Sequence, residues 1–300
     1  MTVSPGKTVL LILAGHDVRI EVSEGRAIST LTDDKLLIKQ YIEKIQHFRL
    51  LDDTFFNSCL QDNIKGMELM LRIIMKRSDL RVVKIINQNK VPNIYGREAC
   101  FDVFVEDRDG KFYDVEVQRS DNGAMPKRAR YNSSMIDAMA INKGAKWEDI
   151  PRSCVIMITE NDVLGGGWPI YHIRRTIKEM DDAHFDDASE IIYVNASLEG
   201  DDDLGRLMHD FHCTDPDEMY YQELAERVRF FKTNEKGVKQ MCKIMQEILD
   251  EGIKVGRSEG EDKMGRLVER LVSEGHNDDV ARVAIDKAYR AEMYQKYSIE

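Results

Sequence analysis

Apolar residues recur at two spacings along the chain, and the spacing sorts the sequence into helices and strands. Ile64, Met67, Leu71, Ile74 and Met75 follow the 3.6-residue period of an amphipathic helix over Asn63 to Met75. A shorter helix capped by Asp52 or Asp53 precedes it, with Phe55, Phe56, Cys59 and Leu60 on one side. Val82 to Ile86, Cys100 to Val105 and Phe112 to Val117 alternate or run apolar as strands do, and Asp109-Gly110 between the last two is a hairpin signal. Met125 to Ile141 reads as a helix with Pro126 in its first turn, where the missing N–H costs nothing. Cys154 to Thr159 and Ile191 to Asn195 have the look of buried strands, with a helix expected between them around Tyr171 to Met180. Gly165-Gly166-Gly167 reads as a mobile turn ahead of that helix.

Leu204 to His212 and Met219 to Phe231 are further helices, and from Gly237 onward the chain is helix-rich and laced with charge. This order gives an α/β core over 46–235, an N-terminal extension over 1–45 and a helical C-terminal region over 236–300. The extension carries a strand at Thr8 to Leu13 and a helix from about Asp33. In the C-terminal region Ile244, Ile248, Leu249 and Ile253 form one apolar stripe, Leu267, Leu271 and Val272 a second, and Val280, Val283, Ala284 and Ala288 a third. Stripes this narrow predict that the region joins copies of the chain into a homo-oligomer, packing back onto its own core being the alternative.

Composition narrows the class. With 42% hydrophobic and 32% charged residues, the chain is a folded globular protein and not a disordered one. The longest apolar run, Val9 to Ala14, is too short for a membrane span, and Gly15-His16-Asp17 after it is no signal-peptide cleavage region. Five scattered cysteines without a CxxC pair argue for reduced thiols in a cytoplasm and against a disulfide framework or a zinc ribbon. A net charge of −11 opposes a nucleic-acid partner globally, yet the charge is uneven. Lys65, Arg72, Lys76, Arg77, Arg81, Lys84, Lys90 and Arg97 face only Glu68 and Asp79 between them, a local basic stretch compatible with DNA.

The candidate chemistry lies between Arg97 and Arg119. Phe112, Asp114, Glu116 and Gln118 share one strand face. A three-residue loop, Arg108-Asp109-Gly110, would place Asp102 directly opposite Glu116, whereas a two-residue Asp109-Gly110 turn would shift the register by one. In the first case two carboxylates stand roughly 5 Å apart and repel unless a cation lies between them. Asp102, Glu116 and the Val117 carbonyl offer oxygen ligands of the kind Mg²⁺ or Mn²⁺ takes, leaving room for water and a phosphate oxygen. The alternative is an acidic strand face exposed to solvent.

These residues resemble the PD-(D/E)XK nuclease superfamily, and within it the transposases related to the Rpn-like recombination-promoting nucleases. The resemblance rests on Phe101-Asp102-Val103, Asp107-Arg108-Asp109-Gly110, Val115-Glu116-Val117-Gln118-Arg119-Ser120 and Lys127-Arg128-Ala129-Arg130-Tyr131, with Leu51-Asp52-Asp53-Thr54-Phe55-Phe56 upstream. It implies a restriction-endonuclease-like α/β fold, a mixed sheet flanked by helices, and a Mg²⁺-dependent endonuclease that hydrolyses DNA in recombination, transposition or defence. A nuclease fold kept only for DNA binding or assembly is the competing reading. The resemblance also implies metal on Asp102 and Glu116. Gln118 stands where the wider superfamily has Lys, so orienting water and steadying the transition-state anion would fall to its amide, with Arg128 or Arg119 as the nearby cation.

Weaker signals complete the reading. Asp53 either adds a carboxylate or caps its helix, and Tyr131 shares a stripe with Arg128 that either reaches the site or pairs within the fold. Met135 and Met139 on that stripe read as core. His209, His212 and Cys213 have metal-like spacing without a fourth ligand and read as structural. Ser4-Pro5-Gly6-Lys7-Thr8 echoes a phosphate loop but lacks its first glycine.

Overall fold

Where apolar runs are long enough to cross a core they become strands, and six of these make one mixed sheet. The computed structural model describes residues 8–13, 16–21, 28–91, 98–141, 144–274 and 276–299. Ser4 to Lys7 and Arg97 lie outside them. In chain order the strands are β1 (Thr8–Leu13), β2 (His16–Glu21), β3 (Val82–Val91), β4 (Ala99–Asp107), β5 (Phe112–Gln118), β6 (Ser153–Thr159), β7 (Ile170–Ile173), β8 (Thr176–Ile177), β9 (Ala183–His184) and β10 (Ser189–Asn195). The α-helices are α1 (Ile28–Gln46), α2 (Asp53–Leu60), α3 (Ile64–Met75), α4 (Pro126–Ala140), α5 (Asp203–His212), α6 (Gln222–Thr233), α7 (Glu235–Ser273), α8 (Asn277–Ile285) and α9 (Lys287–Lys296). The chain divides into two compact units, Met1–Met241 and Cys242–Glu300.

The large sheet runs β3-β4-β5-β6-β10-β7, with β6 parallel to both β5 and β10 and the other pairs antiparallel. Helices α2 and α3 pack on one face and α4 on the other. Two covered faces explain why β6 is buried at every position and why β4 and β5 bury nearly all of theirs. This is the α/β nuclease-like fold expected from the sequence.

The β4–β5 turn is built by Asp107. Its Oδ1 accepts from the N–H groups of Asp109 and Lys111, both at 2.9 Å, and its Oδ2 from the Tyr113 hydroxyl at 2.8 Å. Gly110 takes φ +75°, a conformation that costs glycine nothing, and its N–H returns to the Asp107 carbonyl. The loop is therefore the three-residue one. Val103 pairs with Val115, Phe104 with Asp114 and Glu106 with Phe112, the register that carries Asp102 toward Glu116.

The structure corrects the sequence reading in several places. There is no α-helix over 171–180; Ile170–Ile173 pairs with β10 as the edge strand and β8–β9 form a small hairpin beyond it. The Gly165–Gly167 turn thus leads into a strand. Helix α1 starts at Ile28, ahead of Asp33, and its last turns bury Tyr41 and Ile45. Met139 is exposed, although Met135 is buried. In the 65–97 stretch, Arg72 and Arg81 are both paired with Glu68, and Arg77 with Asp79 and Asp109.

Helix α6 ties down the helix that leads to the site. Buried Lys232 donates to the carbonyls of Gln46, Phe48 and Thr214, and Arg227 donates to those of Ser58, Cys59 and Gln61 at the end of α2. These are the carbonyls a helix end leaves without partners. In the second unit Leu267, Leu271, Val283 and Met293 bury one another, while Ile248, Leu249, Ile253 and Val272 stay exposed. Among the described residues, no helix is long and apolar enough to cross a membrane.

Candidate active site

Three carboxylates lie buried at neighbouring positions of β4 and β5. Asp114 and Glu116 have no exposed surface, and Asp102 is 8% exposed. The backbone ladder of the hairpin parts beyond Val103 and Val115, and the Asp102 carboxylate takes up the Val117 N–H instead, at 3.3 Å. On the opposite side, α4 supplies two donors one turn apart. Arg128 forms an ion pair with Glu116 Oε2 and donates to the Gly123 carbonyl at 3.1 Å. Asn132 Nδ2 donates both to Glu116 Oε1 (3.1 Å) and to Asp114 Oδ2 (2.8 Å). Gln118 reaches the same carboxylate, its Nε2 lying 3.4 Å from Glu116 Oε2.

This much negative charge out of water is expensive, and it makes the carboxyls harder to ionise. Burial, then the charges of Glu116 and Asp53, push Asp102 up to about 8, against the Val117 N–H and Arg128. Burial and Glu116 hold Asp114 far above the usual carboxylate range despite Asn132. Burial raises Glu116 as well, with Arg128 the chief opposing influence. Asp114 Oδ1 is buried and has no hydrogen-bond partner among the described residues. Buried acceptors of this kind call for a donor or a cation.

Asp53 opens α2 as its first helical residue and is not its cap; that position is Asp52, whose carboxylate accepts from the Arg49 N–H and from Arg119. Desolvation raises Asp53, with Asn57 and Arg128 opposing. Its charge acts on both Asp102 and Glu116, so α2 brings a further carboxylate toward the pair. A cleft of about 340 Å³ lined by Asp53, Val117, Gln118 and Arg119 opens beside them.

Residues 63–199 match the model of the PD-(D/E)XK nuclease family transposases, a span holding both strands of the carboxylate hairpin and α4. This segment is similar to that family. The similarity suggests a nuclease-type function, and nucleases of this kind generally use divalent metals. No curated protein and no solved structure matches the chain. Asp53 lies outside the matched residues.

Of the residues singled out from the sequence, the PD-(D/E)XK hairpin gathers Asp102, Glu116 and Gln118 around one point, with Arg128 and Asp53 converging from α4 and α2. Arg119 turns outward to Asp52 (2.6 Å) and Glu160 (3.1 Å), and so is not the cation beside Glu116. Tyr131 is half-buried against the apolar cluster under α4. Asn132 escaped the sequence reading. Its one signal was spacing, four residues beyond Arg128 and so on the same helix face. His209, Asp210 and Cys213 do cluster, with ligand atoms within 4.8 Å of one another. However, Asp210 already accepts the N–H groups of Tyr220 and Tyr221, and His212 turns away to the Ala196 carbonyl.

Proposed function

We propose that the chain is a metal-dependent DNA endonuclease that hydrolyses phosphodiester bonds at the Asp102–Glu116 pair. The observation that carries this reading is the burial of Asp102 and Glu116 on adjacent strands, just past the last paired residues Val103 and Val115, both held above their ordinary pKa. Carboxylate oxygens suit Mg²⁺ or Mn²⁺ and not the softer metals that thiolates and imidazoles select. Asp102, Glu116 and the Val117 carbonyl would hold the ion, which when bound polarises the phosphodiester and acidifies water. The protein's own part is positional. Asn132 fixes one oxygen of Glu116, Gln118 orients water or a phosphate oxygen with its amide, and Arg128 offers a guanidinium to the anion that develops on phosphorus. A role in recombination, transposition or defence fits the family.

A second reading, a catalytically idle DNA-binding or assembly protein, is favoured by one feature: Arg128 already neutralises Glu116. Nicking of supercoiled plasmid with Mn²⁺, with EDTA, and with Asp102→Ala or Glu116→Gln separates the two. Activity is expected to vanish in EDTA and in both variants while circular dichroism is unchanged. A variant that cuts near the parent rate refutes the site, and a parent that never cuts leaves the idle protein.

A further inference from the structure

The turn between β6 and β7 is built more firmly than a simple connection requires. Asp162 accepts the N–H groups of Gly165 (3.0 Å) and Gly167 (2.7 Å), and the Tyr171 hydroxyl donates to it at 2.8 Å. That hydroxyl oxygen in turn accepts from the N–H groups of Gly166 (3.0 Å) and Trp168 (3.1 Å). Asn195 fastens the far side through the carbonyls of Trp168 and Pro169. Two side chains and a strand end are thus committed to a turn that leaves Trp168 65% exposed, with Leu164 exposed nearby.

Its position is that of a neighbour to the carboxylates. Glu116, Met157, Tyr193 and Tyr171 are successive partners across β5, β6, β10 and β7. Partners share a sheet face, so Tyr171 stands on the face of Glu116, three strand spacings or roughly 14 Å away. The turn also leaves β6 at the end where β5 finishes, for the Glu160 N–H donates to the Gln118 carbonyl at 3.0 Å. Between the turn and α4 lies a groove of about 260 Å³, largely apolar, whose charged lining is Arg130, Arg174, Arg175 and Glu190. Arg174 is paired with Glu190 and Arg175 with Asp187, whereas Arg130 has no ion pair among the described residues.

We propose that Trp168 is a stacking platform for an unpaired base of the nucleic acid bound at the carboxylate site, with the Arg130 groove accommodating the adjoining phosphates. This rests on the nuclease reading above. A flat indole left in water by a hydrogen-bonded turn, with Leu164 of that turn lining an arginine-bearing groove, is what base stacking needs. The base must be unpaired, because within a duplex both of its faces are covered.

Trp147 and Trp168 are the two tryptophans of the chain, so Trp147→Phe leaves Trp168 as the sole indole emitter. In EDTA at low salt, a short single-stranded oligonucleotide is expected to quench that emission, and a blunt duplex of the same sequence to leave it unchanged. By anisotropy with a labelled single strand, Trp168→Ala should bind about 5- to 150-fold more weakly, Trp168→Phe should keep most of the affinity, and Trp168→Leu should fall with alanine. Parent-like binding by Trp168→Ala or Trp168→Leu, or absence of quenching, overturns the platform. Plasmid nicking by the parent with Mn²⁺, read beside these binding measurements, separates the two readings. Plasmid cleavage by the parent with no effect of Trp168→Ala on binding sinks the platform alone. Quenching and the alanine defect in a parent that never cleaves sink the nuclease reading alone.

Discussion

Without metal, the protein should lose stability as pH rises, and Asp102→Asn should remove part of that loss. Asp102 titrates near 8 in the folded protein against an ordinary 3.8, because burial and the facing Glu116 disfavour its charge. Between those values the folded state keeps a proton that the unfolded state has released. The stability this confers is fully present below the lower value and is lost as pH climbs toward the upper one. Each pH unit in that window costs on the order of 1 kcal/mol, so from pH 5 to pH 7 Asp102 accounts for a few kcal/mol. That is a large share of a typical 5–15 kcal/mol. Glu116 and Asp114 are raised for the same reason and add to the slope. Urea unfolding followed by circular dichroism in EDTA at pH 5, 6, 7 and 8 measures it. Asp102→Asn should flatten the slope by on the order of 1 kcal/mol per pH unit. Millimolar Mn²⁺ should offset the loss in the parent, increasingly so at higher pH, because the ion binds the deprotonated pair. A parent whose stability is flat or rises from pH 5 to pH 7, or an Asp102→Asn slope equal to the parent's, would refute the account of the site.

Other expectations follow from single contacts. A Cβ at Gly123 would overlap the Gln118 amide oxygen, so Gly123→Ala should slow cleavage at least about tenfold while shifting the melting temperature little, measured by nicking kinetics and calorimetry. Arg128→Gln frees Glu116 from its ion pair and should bind Mn²⁺ more tightly by calorimetry yet cleave more slowly; weaker Mn²⁺ binding would contradict competition between guanidinium and ion. Lys232→Met leaves three carbonyls without their donor and should cost about 3 kcal/mol or more in urea unfolding. If α7 joins copies of the chain through its exposed stripe, Ile248→Asp with Ile253→Asp should lower the molar mass seen by light scattering and spare cleavage by the core; an unchanged mass counts against assembly there.

The sequence was most informative where one local pattern had one outcome. Alternation and the Asp109-Gly110 turn placed β4 and β5, and Pro126 marked the start of α4. The hairpin register stayed open, since a two-residue loop fits the same letters. It is decided by a side chain, Asp107, whose capture of two backbone N–H groups is invisible to periodicity. Residues 170–180 failed for the opposite reason. Ile170, Ile173, Ile177 and Met180 keep helical spacing, but β10 offers an edge that Ile170–Ile173 satisfies, and Asp181 and Asp182 then take left-handed φ to turn the chain. Pairing with a distant strand overrode the local pattern. At the site, carboxylates on strands were conspicuous because strands disfavour them, whereas an asparagine on a helix is ordinary. The destination of Arg119 depended on where α2 would bring Asp52, a long-range fact.

The clamps that α6 places on α2 bear on what would count as a minimal nuclease. Asp53 sits at the head of a helix whose approach is fastened by Lys232 and whose tail is fastened by Arg227. Both cations come from beyond residue 199, and α2 itself precedes residue 63. A fragment trimmed to the recognisable segment would keep the hairpin and α4 but shed the helix that carries Asp53 and the struts that aim it. The stretch that announces kinship and the body that would aim Asp53 at the proposed site are therefore different lengths of the same polypeptide.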